Sequence, residues 1–153
     1  MTIEDDIAFL ERVPMLSLLG RQAIRILAIG AESKYVHRGE VLYSAGEQAD
    51  CGYIVQEGSF RLASPNRRTP DEEHVVGPGT LLGELALLAD TVRPVTAIAA
   101  EPSTVIRISR SLFLKMLEGF PEAARRLRDT ISARNDQMSR EIETVREWLR
   151  SQR

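Results

Sequence analysis

The chain is poor in the residues that most often carry chemistry: one cysteine, two histidines and one tryptophan stand among 153 residues. A lone Cys51 cannot close an intramolecular disulfide or assemble a thiolate metal site. It has no neighbouring base in the sequence and reads as a buried or edge thiol, in keeping with a reducing cytoplasm, the expected location. His37 and His74 lie far apart without a Cys/His/Asp cluster at ligand spacing, so no metal centre is expected. No Gly-x-Ser-x-Gly elbow, dinucleotide-binding glycine fingerprint or P-loop occurs, and the chain is expected not to be an enzyme. The excess of one charge over the other is small as well. A net charge of -2 gives the whole chain no pull toward nucleic acid or anionic lipid. No apolar run approaches membrane-spanning length, and the acidic start Met1-Thr2-Ile3-Glu4-Asp5-Asp6 is the opposite of a secretion signal.

What remains is ordinary globular material, 43% hydrophobic and 27% charged, of a length that suits one domain with a proper core. Three regions separate by pattern within a single domain over 1–153. Across 1–32, Ile7, Leu10, Leu18, Leu19, Ala23, Ile26 and Leu27 recur at helical spacing, and Pro14 divides them into two helices. Across 33–109, Gly39, Gly46, Gly58, Gly77, Gly79 and Gly83 punctuate short alternating runs. Tyr53 and Val55 share one face, as do Phe60 with Leu62 and Ile106 with Ile108, the pattern of a β-roll, barrel or sandwich. The polar stretch from Pro65 to His74 reads as an exposed hairpin loop. Across 110–153 the pattern is helical: Ser109 or Ser111 caps a first helix, Gly119 ends it, and Pro121 suits the first turn of the next.

The informative stretch is 79–97, which contains Gly83-Glu84-Leu85-Ala86-Leu87-Leu88 and then Arg93-Pro94-Val95-Thr96. Gly83 permits a tight turn beside a ligand, and Glu84-Leu85-Ala86 opens a short helical turn whose free N–H groups favour an anion. Arg93 adds a fixed positive charge with a bidentate fork, and Glu84 suits a sugar hydroxyl. This segment resembles the phosphate-binding cassette of the cyclic nucleotide-binding domain family, whose members include catabolite-activator-type regulators and kinase regulatory subunits. Arg38-Gly39-Glu40-Val41-Leu42-Tyr43-Ser44-Ala45-Gly46-Glu47 and Gly52-Tyr53-Ile54-Val55-Gln56-Glu57-Gly58 are similar to two of its hairpins.

The resemblance implies an α+β fold: N-terminal helices, an antiparallel, jelly-roll-like β-roll of about eight strands, a short embedded phosphate-binding helix and a long C-terminal helix. It implies a regulatory sensor that binds a cyclic nucleotide, with Gly83 letting the Leu85 and Ala86 amides approach the cyclic phosphate. Glu84 would take the ribose 2′-hydroxyl, Arg93 would pair with the phosphate, and Thr96 is a further polar candidate. Two residues depart from the family pattern. Pro94 stands where a small residue with a free N–H is usual, and one lost charge-assisted hydrogen bond costs about 1.5–3 kcal/mol. Val95 replaces a small alanine, and neither residue offers the hydroxyl that favours guanine, so cyclic AMP (cAMP) is expected ahead of cyclic GMP (cGMP). The rival reading is a degenerate roll, kept for dimerisation or partner docking without a nucleotide.

The terminal helix carries its own signal. Ile131, Asn135, Met138, Ile142, Val145 and Leu149 step by four and three, a heptad seam with Asn135 at an a position. A parallel homodimer through this helix is therefore expected, with an unknown downstream protein as a further partner. A regulator that reads DNA would need a helix-turn-helix after the long helix, and the sequence as given stops at Arg153 within that helix, so direct DNA binding is not expected.

Overall fold

The computed structural model describes residues 2–64 and 74–130. Helix α1, Ile3–Leu10, begins at a capping box: the Thr2 hydroxyl accepts the Asp5 N–H at 3.2 Å while the Asp5 carboxylate accepts the Thr2 N–H at 3.1 Å. Those bonds hold the Asp5 carboxyl below its usual range, and Glu4 and Asp6 add negative charge where the helix dipole favours it. Pro14 falls where expected: the chain leaves the helix, passes through a 3-10 turn at Leu16–Leu18 and enters α2, Arg21–Gly30.

Ten short antiparallel strands follow. Strands β1 (Glu32–Val36), β10 (Ser103–Ser109), β4 (Cys51–Glu57) and β7 (Leu81–Leu82) form one sheet in that order. Strands β2 (Val41–Tyr43), β9 (Thr96–Ala99), β5 (Phe60–Ala63) and β6 (His74–Val76) form a second. The two-residue strands β3 (Gln48–Ala49) and β8 (Thr91–Val92) pair alone. The roll anticipated with about eight strands thus has ten among the described residues, three of them only two residues long and too brief to register as alternation.

Alternation along β4 and β10 builds two cores. Ile54, opposite Ile106, faces outward with Ile108 onto a cluster supplied by α1, α2 and the C-terminal helices. Tyr53, Val55 and Val105 face inward, joining Phe60, Ala97 and Val36 between the sheets. Cys51 through Val55 are consequently all buried, because helices cover one side and the second sheet the other.

Ser109 caps α3, Arg110–Gly119, by accepting the Leu112 N–H at 3.1 Å. Helix α4 then starts at Pro121 and runs through 121–130. Ala123 and Leu127 bury themselves in the helical cluster, and Arg126 donates to the carbonyl oxygens of Leu18 at 2.8 Å and Leu19 at 3.4 Å. This ties α4 to the turn after α1. The heptad residues Ile131 to Leu149 and most of the 65–74 loop lie outside the described residues. Among the described residues, no helix is long and apolar enough to cross a membrane.

Candidate functional site

The cassette folds because its two ends are stitched to other strands. Gly83 takes a left-handed backbone (φ 80°, ψ 38°), and Glu84–Leu87 follows as one 3-10 turn, shorter than an α-helix but of the expected kind. Leu87 is fully buried and packs over Gly52, anchoring the turn to β4. At the other end the Arg93 N–H donates to the Glu47 carbonyl, and the Arg93 carbonyl accepts the Gly46 N–H, both at 2.8 Å. The hairpin at Gly46 and the cassette tail therefore hold each other.

These elements enclose a cavity of about 410 Å³ lined by Gly83, Glu84, Leu85, Ala86 and Arg93 together with Pro94, Val95 and several apolar side chains. Five of the six expected site residues thus converge on one concavity. The sixth does not: the Thr96 hydroxyl accepts the Ala45 N–H at 2.9 Å and serves the hairpin. The two amides assigned to the phosphate also differ. The Ala86 N–H donates to the Gly83 carbonyl at 3.0 Å as the first bond of the turn, whereas the Leu85 N–H lies ahead of that bond. The Leu85 side chain is exposed, so the residue meets the cavity through its backbone and the base of its side chain.

Arg93 is the unusual group. Its side chain is 4% exposed. Burying a cation is costly unless it is paired, and among the described residues no carboxylate forms an ion pair with it. Its guanidinium lies over the Tyr43 ring at 4.4 Å and near the Tyr53 ring at 5.5 Å, and Nη2 donates to Cys51 Sγ at 3.3 Å. Nη1 is buried against Gly83 with no hydrogen-bond partner. The site therefore combines a walled apolar cavity with a desolvated, incompletely satisfied cation, an arrangement that favours an anion attached to an apolar body.

A family model described as the cyclic nucleotide-binding domain matches residues 33–120. The chain belongs to that family. Within it, a cyclic nucleotide-binding-like protein from Brucella abortus is 38% identical, with a TM-score of 0.65 over 74% of this chain and 98% of that one. The N-terminal domain of a transcriptional regulator from Streptomyces coelicolor A3(2) is 27% identical, with a TM-score of 0.76 over 88% of this chain and 94% of that one. A cyclic nucleotide-gated potassium channel of Mesorhizobium japonicum is 30% identical over 118 residues, which is 77% of this chain and 32% of the channel. The chain spans between 18% and 32% of the length of the curated relatives it matches.

Sequence reasoning missed the surroundings of this domain's buried arginine. Tyr43 and Tyr53 belong to hairpins recognised for their glycines and Cys51 stands just before the second, yet nothing in their spacing places them beside Arg93. The signal, two tyrosines in strands of different sheets, becomes meaningful only once strand pairing is known.

Proposed function

We propose that this cyclic nucleotide-binding domain is a cytoplasmic sensor that reversibly binds cyclic AMP and signals through its C-terminal helices, with residues 1–153 acting as one regulatory unit. The observation that carries the reading is Arg93: a buried cation that contributes to the lining of the cassette cavity and whose Nη1, packed against Gly83, has no hydrogen-bond partner. In this reading Arg93 and the Leu85 amide take the cyclic phosphate, Gly83 allows the approach, Glu84 takes a ribose hydroxyl, and the apolar lining receives the base. Ala86 supports the turn from below, and Thr96 acts indirectly through the hairpin. Pro94 and Val95 line the cavity without a hydroxyl, which favours cAMP over cGMP.

Output through the C-terminal helices draws support from Arg110, the first residue of α3. Its backbone N–H donates to the Asp50 carbonyl at 2.8 Å. Its Nη1 donates to the carbonyls of Ala49 at 3.2 Å and Ala89 at 2.9 Å, and its Nη2 pairs with Asp90 at 2.6 Å. A shift of Ala89 and Asp90, just after the cassette turn, thus acts directly on the start of α3. Ligand must favour one helix position over the other for this to signal. A homodimer through the heptad at 131–149 belongs to the same reading, and light scattering on the full chain and on a truncation before Gln137 tests it.

The alternative, a roll kept for docking alone, rests on Pro94, which offers no N–H, and on the Ala86 amide being engaged within the turn. Calorimetric titration separates the two. Cyclic AMP is expected to bind, more tightly than cyclic GMP, and Arg93→Leu to abolish binding. Absence of heat with both nucleotides favours the scaffold.

A further inference from the structure

An arginine meant to bind an anion has a problem when its pocket is empty. A partner carboxylate would hold the guanidinium in place but would also neutralise it and compete with the incoming anion. Left without a partner, the side chain would lose orientation, and long side chains carry up to about 2 kcal/mol of rotamer entropy. This chain combines uncharged contacts that hold the group without cancelling its charge. Tyr43, from β2, presents its ring face 4.4 Å from the Arg93 guanidinium carbon. Tyr53, from β4, stacks on Tyr43 with ring centroids 6.1 Å apart at an interplanar angle of 19°, so the two rings form one platform from two sheets. Cys51 Sγ accepts from Nη2 at 3.3 Å. The platform itself is buried, for Tyr43 is 5% exposed, Cys51 2% and Tyr53 8%.

We propose that Cys51, Tyr43 and Tyr53 are positioning residues that fix the Arg93 guanidinium by one nitrogen and one face, leaving Nη1 and the full positive charge for an anionic ligand. This rests on the reading of the cavity as a cyclic nucleotide site for the identity of the anion, but not for the order of the side chain. The thiol is a weak acceptor and the rings are neutral, so each contributes direction with little screening. Both rings are uncharged at neutral pH in any case, and burial raises the Tyr43 and Tyr53 hydroxyls further above their ordinary range. Gly83 completes the cradle, because a Cβ there would collide with Nη1.

The test reads Arg93 directly, in the ligand-free full chain. The arginine Nε–Hε signals are recorded by nitrogen-15 NMR, and that of Arg93 is assigned by its loss in Arg93→Lys. The expected result is a signal as ordered as the backbone, with its proton displaced by the tyrosine ring currents. Cys51→Ala and Tyr43→Leu should each lower that order toward that of exposed arginines, and Cys51→Ser, which retains an acceptor, should preserve it. A general loss of packing would not be rescued by serine. Should one variant fail to fold by thermal melting, the other decides. A mobile Arg93 in the unaltered protein, or an unchanged signal in the folded variants, overturns the proposal. Titration of cyclic AMP supplies the second arm: Cys51→Ala is expected to weaken binding about tenfold, the low end for a hydrogen bond to a charged group. If the unaltered protein gives no heat with cyclic AMP, the nucleotide reading fails while the NMR result still decides the positioning role.

Discussion

Gly83→Ala separates two roles that one glycine performs, and Gly39→Ala provides the comparison that separates them. Both glycines have nearly the same positive φ, 80° at Gly83 and 82° at Gly39. An L-residue there costs about 1–2 kcal/mol at either site. For a domain of this size that lowers Tm by about 2–8 °C. Their surroundings differ. A Cβ on Gly39 meets nothing within 4 Å, whereas on Gly83 it collides with Arg93 Nη1 and comes within 3.3 Å of the Cys51 carbonyl. The carbonyl belongs to a paired strand and cannot retreat, so the guanidinium must move. Displacing it forfeits a charge-assisted contact to the ligand of about 1.5–3 kcal/mol, which is about ten- to a hundredfold in affinity. Urea denaturation and calorimetric titration with cyclic AMP on both variants give the four numbers needed. Both should lose stability, Gly83→Ala at least as much as Gly39→Ala, but only Gly83→Ala should lose affinity. Unchanged affinity in Gly83→Ala would refute the placement of Arg93 Nη1 at the anion position, and equal losses in both would mean that backbone strain alone governs binding.

Three further outcomes follow from the same geometry. Thr96→Val leaves the partly buried Ala45 N–H without its 2.9 Å partner and should cost about 1 kcal/mol of stability in a urea titration while affinity stays within about twofold; a tenfold loss of affinity would return Thr96 to the ligand site. Leu87→Ala empties a fully buried position beneath the cassette and should destabilise the protein by about 2–5 kcal/mol by denaturant unfolding, a loss below about 1 kcal/mol being incompatible with the packing described. Burial pushes the Tyr53 hydroxyl from 10.0 up to about 12, so between those values the unfolded chain has released a proton that the folded chain retains. Stability should therefore fall as pH rises through that window, and Tyr53→Phe should flatten the fall in alkaline melts; an identical decline in both proteins would place its origin elsewhere.

Local chemistry settled much of this protein in advance. Pro14, Ser109, Gly119 and Pro121 mark helix boundaries because capping and broken hydrogen bonding act within a few residues. The alternation of Tyr53 with Val55 and of Ile106 with Ile108 sorts side chains to two faces, since a strand has a period of two whatever it packs against. Gly83 and Arg93 were likewise legible, the first through a left-handed turn and the second through its charge near that turn. Strand pairing decided the rest. Whether Thr96 meets a ligand or a hairpin depends on Ala45 lying beside it, 51 residues away in sequence. Whether the Ala86 amide is available depends on the turn tightening to 3-10 geometry, which the sequence pattern does not distinguish from an α-helical start. The cradle of Tyr43, Cys51 and Tyr53 around Arg93 exists only because strands from two sheets meet there. Short-range chemistry determined where the elements begin and which face each buries; long-range pairing alone decided which side chains share the buried space around the cation.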